Sequence, residues 1–127
     1  MKNIGVVGAG QMGNGITQVA AQYGFSVIMM DVQAAALDKG LATITSSCDR
    51  LIKKNTMSES DKQKLLSNIK TTTSMADLKN CDVVIEAATE NIELKLKIFR
   101  ELDQLVKPEA LLLSNTSSIS ITKMASA

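Results

Sequence analysis

At 127 residues, with 45% hydrophobic and 21% charged side chains, the chain has the size and composition of one globular domain with its own core. A net charge of +1 and the absence of any apolar run near the ~20 residues of a membrane span give bulk properties no role in holding nucleic acid or crossing a bilayer. Cys48 and Cys81, in no CxxC pair, read as reduced core residues of a cytoplasmic protein, and the lack of histidine removes an imidazole base and any His-ligated metal.

Strands and helices alternate from the start. Ile4, Val6 and Val7 form a short apolar run that ends at Gly8, the pattern of a buried strand; the two glycines at 8 and 10 also interrupt any signal-peptide core. Met12, Ile16, Val19, Ala20 and Tyr23 recur at helical spacing and predict an amphipathic helix with these residues on its apolar face, closed by Gly24. Residues 27–30 predict a second buried strand with Asp31 at its carboxyl end, so the first 31 residues read as a βαβ unit with a parallel sheet. Leu37, Leu41, Ile44, Cys48 and Leu51 share one face of a long helix that breaks near Asn55. Ser58 with Asp61 opens another helix through Leu65, Leu66 and Ile69, making a helical hairpin. A short strand over 70–73, a buried strand over 83–87, a helix over 91–106 stopped by Pro108, and a strand over 111–113 complete the order. The predicted fold class is α/β: a doubly wound Rossmann domain, mainly parallel, with a helical hairpin insertion.

The chemistry starts at Gly8-Ala9-Gly10-Gln11-Met12-Gly13. A GxGxxG alone marks many turns, but here it follows a buried strand and opens a helix. In that context Gly8 permits the sharp turn, Gly10 lets backbone approach a pyrophosphate, and Gly13 lets helix and strand pack. Backbone amides at the helix start, including those of Gln11 and Met12, then face the phosphates. Asp31 lies 23 positions after Gly8, near the ~20 expected of a carboxylate that binds ribose hydroxyls. It would repel a 2′-phosphate, and Gln33 with the alanines after it offers no arginine to reverse that, so the cofactor predicted is NAD.

Ligands of open α/β sheets gather at the carboxyl ends of strands. Two such ends carry polar groups here, Ala87-Ala88-Thr89-Glu90 and Ser114-Asn115-Thr116-Ser117-Ser118. Thr89 and Ser118 serve equally as helix N-caps, and Glu90 suits a positive helix terminus.

GAGQMGNGI, Asp31, the hairpin, DVVIEAATEN and SNTSSISIT together resemble the 3-hydroxyacyl-CoA dehydrogenase family, nearest in pattern to its bacterial short-chain members. The resemblance runs over essentially the whole chain. It implies hydride transfer between NAD and a short 3-hydroxyacyl-CoA in fatty acid and butyrate metabolism. It also implies that Glu90 and Lys95 line the nicotinamide side and that Asn115 lies near the nicotinamide and substrate, while the small residues from Ala87 on are read from their strand-end position as letting a cofactor lie against the backbone. Ser117 would be the catalytic serine on the substrate oxygen, and Arg50 and Lys54 would meet the coenzyme A tail. Arginine stands at 50 where the family usually has lysine. Spacing alone places Arg50, Lys53 and Lys54 on an outward face and favours a solvated basic surface over a phosphate site; the resemblance tips the balance toward coenzyme A.

The family's catalytic histidine lies after the SNTSS segment, and its glutamate partner and helical dimerisation domain follow. The expectation is therefore an NAD-binding domain over 1–127, without that second domain or a base, and inactive as it stands. The intact protein is expected to be a homo-oligomer, with no nucleic acid or membrane partner. The alternatives are another two-domain NAD-dependent hydroxyacid or polyol-phosphate dehydrogenase, and a non-enzymatic NADH-sensing module.

Overall fold

The structure is a computed structural model, which describes residues 3–87, 92–105 and 111–114. Five strands form one parallel sheet: β1 (Asn3–Val7), β2 (Ser26–Met30), β3 (Ile69–Thr72), β4 (Val83–Glu86) and β5 (Leu111–Ser114). Their spatial order is β3-β2-β1-β4-β5. The helices are α1 (Gln11–Gln22), α2 (Ala34–Lys53), α3 (Glu59–Ser67) and α4 (Ile92–Leu105), with a short 3₁₀ helix at Met75–Leu78. The chain winds outward through β2 and β3, then returns past β1 to build β4 and β5. The strand order therefore reverses between β1 and β4, where Rossmann sheets hold their ligands.

Pleating assigns the two faces. Register aligns Ile4 with Val27 and Val83, and Val6 with Met29 and Ile85. Ile4, Val6 and Val27 pack with Ala21, Ile44, Cys48 and Leu65, which puts α1, α2 and α3 on this side. Val7, Met30 and Val84 point the other way and pack with Leu78, Ile98 and Leu102, which puts α4 and the 3₁₀ helix on the second face. Met29, Ile44, Leu78 and Leu102 are fully buried, and each contributes about 1.5–3 kcal/mol by leaving water.

Local chemistry sets the hairpin. α2 buries Leu37, Gly40, Ile44 and Cys48 at helical spacing. It ends at Lys54, and Asn55 turns the chain with φ 60°. α3 opens on a full capping box, because the Ser58 hydroxyl accepts the Asp61 N–H at 3.0 Å and the Asp61 carboxylate accepts the Ser58 N–H at 3.2 Å. Lys62 ties the two helices together by donating to Asp49 at 2.7 Å.

The sequence reading holds for every element, with most strand and helix ends displaced by one residue and the 3₁₀ helix not foreseen. Two expectations are corrected. Ile69, read as part of the second hairpin helix, opens β3 instead, because α3 ends at Ser67. The face that α1 buries carries Gly13, Asn14, Thr17 and Ala21, whereas Met12, Val19 and Tyr23 of the apolar stripe are exposed. Helical periodicity marks which residues share a side, but it cannot say whether another element covers that side.

Candidate cofactor site

The site forms where β1, β2 and β4 end. Gly8 has φ 112°, a conformation strained for any residue with a Cβ, and donates its N–H to the Met30 carbonyl at 2.6 Å. Gly10 is the N-cap of α1 and brings no side-chain acceptor to the helix start. The first helical bond runs from the Asn14 N–H to the Gly10 carbonyl at 2.9 Å. The amides of Gln11, Met12 and Gly13 therefore precede any intrahelical acceptor and sit at the positive end of the helix. The first turn holds no acidic residue to oppose an anion there.

Glycine spacing gives this loop its shape. A Cβ on Gly13 would lie 1.8 Å from the Gly8 carbonyl oxygen, so α1 can press against the turn only with glycine there. A Cβ on Gly40 would lie 2.9 Å from the Ala9 carbonyl oxygen, so α2 braces the loop from its other side. A Cβ on Gly10 would meet nothing within 4 Å. The loop is thus wedged between two helices and bare on its outer surface, as a backbone cradle for a pyrophosphate must be.

Asp31 is bound to that loop. Its Oδ2 accepts the Ala9 N–H at 3.0 Å, and its Oδ1 accepts the Gln33 N–H at 3.0 Å. Its own N–H donates to the Thr72 carbonyl at 3.1 Å, which anchors it to the end of β3. A carboxylate has about four acceptor positions, so one on each oxygen remains for a ribose hydroxyl. Beside Asp31 opens a cleft of about 340 Å³ with apolar walls from Val7, Met30, Met75 and Ile98, and with Lys97 and Glu101 on its rim. Bare backbone for phosphates, a held carboxylate for ribose and an apolar slot for a flat base match the adenosine half of NAD, so the residues present fit that cofactor.

Ala87 completes the described edge, donating its N–H to the Val7 carbonyl at 2.8 Å. Glu90, Asn115 and Ser117 lie outside the described residues, as does the side chain of Lys95 on α4. Arg50 and Lys54 are exposed at the carboxyl end of α2. Arg50 lies about 15 Å along that helix from Gly40, where α2 meets the glycine loop, so the loop and these cations are not gathered into one cradle.

Two residues went unnoticed in the sequence. Glu86 is fully buried at the end of β4, in register with Val7 and Ser114; its signal was an acidic residue closing an apolar run. Gly40 was signalled by a glycine inside a strong helical pattern. Among the described residues, no group of three or more metal-ligating side chains occurs, and no helix is long and apolar enough to cross a membrane.

Comparison with known proteins agrees with this geometry. Residues 3–127 match the family model described as "3-hydroxyacyl-CoA dehydrogenase, NAD binding domain". The chain is 50% identical over 127 residues to a 3-hydroxybutyryl-CoA dehydrogenase of Bradyrhizobium diazoefficiens, covering all of this chain and 43% of that protein. It is 46% identical to a probable 3-hydroxybutyryl-CoA dehydrogenase of Deinococcus radiodurans, covering 97% of this chain and 44% of the relative. The crystal structure of the (S)-3-hydroxybutyryl-CoA dehydrogenase of Ralstonia eutropha superposes with a TM-score of 0.95 at 53% identity, over 99% of this chain and 44% of that one. The chain therefore spans less than half the length of the curated relatives it matches.

Proposed function

This chain belongs to the 3-hydroxyacyl-CoA dehydrogenase family as its NAD-binding domain, and from that premise we propose that the whole protein interconverts short 3-hydroxyacyl-CoA and 3-oxoacyl-CoA thioesters. The observation that carries the reading is Asp31, held against the glycine loop with acceptor positions left on both oxygens. Bound NAD supplies the hydride acceptor and donor. The chain's own residues bind and orient. The first-turn amides of α1 would hold the pyrophosphate, and Asp31 would hold the adenosine ribose and repel a 2′-phosphate.

Glu90, Lys95 and Asn115 would line the nicotinamide side. Ser117 would donate a hydrogen bond to the substrate oxygen at carbon 3 and polarise it as charge develops. Arg50 and Lys54 would meet the phosphates of coenzyme A. Oxidising the hydroxyl requires a base to take its proton as hydride leaves, and a neutral imidazole suits that task near pH 7. These 127 residues contain no histidine. By themselves they bind cofactor without turnover.

The test is acetoacetyl-CoA with NADH, followed by NADH absorbance. The 127-residue chain should bind NADH and leave acetoacetyl-CoA unreduced. The full-length protein should reduce it and lose that activity on Ser117→Ala. Turnover by residues 1–127 alone would contradict the assignment of the base. A full-length protein that binds NADH but ignores acetoacetyl-CoA would contradict the substrate class.

A further inference from the structure

α1 and α2 meet along a polar seam, where Gln18 donates to the Ser47 hydroxyl at 3.0 Å. One turn nearer the glycine loop the corresponding residues are Asn14 and Thr43, and there the seam opens into a cleft of about 410 Å³. Its floor is largely backbone, because Gly10 and Gly40 bring no side chain and Ala9 only a methyl group. Lys39 stands exposed on its rim and carries the only charge among the described residues that line it. This cleft shares no lining residue with the one beside Asp31: one opens toward α2, the other toward α4, and the glycine loop runs between them.

Asn14 is only 9% exposed, yet its side-chain amide makes no hydrogen bond among the described residues. Buried amides are paired as a rule, so this one marks a missing partner. The nearby Thr43 hydroxyl is engaged with the Lys39 carbonyl at 2.9 Å. Lys39 likewise makes no ion pair among the described residues. A solvated lysine needs no cleft, but a buried amide needs a partner.

The balance of charge around the loop points to an anion as that partner. Asp31 accepts the Ala9 N–H at 3.0 Å and so sets a full negative charge against the loop. The amino end of α1 offers only about half a positive charge in return. A pyrophosphate adds a negative charge on each phosphate, which leaves the loaded cradle short of positive charge. Lys97, on the other flank, is matched by Glu101 on the same rim. Arg50 lies about 15 Å along α2 beyond Gly40, too far to serve. Lys39 is the neighbour of Gly40, at which α2 touches the loop.

We infer that Lys39 and Asn14 are binding residues for the cofactor's pyrophosphate, with Lys39 as its counter-ion and Asn14 as a side-chain donor to a phosphate oxygen over Gly10. Lysine meets phosphate as a point charge on a flexible stem, so an exposed place beside the loop suits it. The amide of Asn14 adds a fixed donor to the backbone N–H groups at the start of α1, and a phosphate oxygen gives it the acceptor it lacks. Because the two clefts are separate, Lys39 leaves the choice between NAD and NADP to Asp31. Both roles rest on the reading of this site as one for NAD.

The test is NADH fluorescence titration of this chain, with ADP as a competitor that keeps the pyrophosphate and lacks the nicotinamide. The variants are Lys39→Met, Lys39→Arg and Asn14→Ala, with Lys64→Met on the exposed side of α3 as the control for net charge. Circular dichroism melts check folding. Lys39→Met and Asn14→Ala should each weaken NADH and ADP alike, by at least about fivefold, with the ratio of NADH to NADPH affinity unchanged. Lys39→Arg and Lys64→Met should bind as the parent does. Added salt should weaken the parent more than Lys39→Met, because an exposed charge is screened. If the parent binds NADH and either Lys39→Met or Asn14→Ala binds it equally well, the inference is overturned and the cofactor reading stands. An equal loss in Lys64→Met would overturn the role of Lys39 by reducing it to net charge. A Lys39→Met variant that keeps its NADH affinity but loses affinity for coenzyme A would overturn it in favour of the acyl-CoA. A parent that binds no NADH would defeat the cofactor reading and the inference together.

Discussion

Alanine at Gly13 and alanine at Gly10 should have opposite consequences, although the two glycines share one loop. At Gly13 the new Cβ would lie 1.8 Å from the Gly8 carbonyl oxygen and 2.7 Å from its carbon. Both are backbone atoms, so no rotamer change relieves the overlap, and α1 must move away from the turn. Overpacking of this kind costs about 3 kcal/mol at the upper end of its usual range. Alanine in place of glycine inside a helix returns about 1 kcal/mol. The net loss is about 2 kcal/mol, or a fall of about 8 °C in melting temperature for a domain of this size. At Gly10 a Cβ meets nothing within 4 Å, so only the preference for glycine over alanine at an N-cap is lost, roughly 0.5 kcal/mol. That methyl group would stand on the bare surface assigned to the pyrophosphate and should weaken NADH binding by at least about tenfold, or 1.4 kcal/mol. Thermal melts by circular dichroism and NADH fluorescence titrations separate the two effects. A Gly13→Ala protein that melts with its parent, or a Gly10→Ala protein that binds NADH as its parent does, would refute the reasoning.

Thr17→Val should stabilise the domain. Thr17 is fully buried in α1, and its hydroxyl has no hydrogen-bond partner among the described residues, so a methyl of similar shape should gain about 1 kcal/mol in urea unfolding; a loss instead would reveal a partner for that hydroxyl. The tie between α2 and α3 should be sensitive to alkali. The hydrogen bond to Asp49 raises Lys62 above the ordinary lysine value of 10.5, so its contribution is complete below that value and is lost as pH climbs through the raised one. Melting temperature should accordingly fall more steeply above about pH 10.5 in the parent than in Lys62→Met, and parallel falls would contradict the assignment.

Much of this domain was legible because its signals are local. Glycine before a helix, a serine with an aspartate three residues later, and apolar runs of strand length each act within a few residues. Ser58 and Asp61 form the capping box that their spacing indicates. What stayed hidden depends on parts distant in the chain. The burial of Gly13, Asn14 and Thr17, in place of Met12, Val19 and Tyr23, follows from which side of α1 the sheet and α2 occupy. The bond from the Ala9 N–H to Asp31 joins residues 22 positions apart and exists only once β1 and β2 are paired. The tightness at Gly40 arises because α2 crosses the loop that follows β1. Asp31 could be chosen from its distance to Gly8, yet its second task as a brace for the loop could not.

The central claim is that the glycine loop and Asp31 together make a site for NAD, and the direct measurement is a titration of this chain and its Asp31→Asn variant with NADH and NADPH. The carboxylate accepts one backbone N–H on each oxygen, while an asparagine side chain can accept only on its single oxygen. Losing a charged acceptor is worth about 1.5–3 kcal/mol, or roughly 10- to 100-fold in affinity. The parent should bind NADH at least about tenfold more tightly than NADPH, and the variant should lose NADH affinity and most of that preference. Equal affinity of the parent for the two cofactors, or an asparagine variant that binds NADH like the parent, would contradict the account.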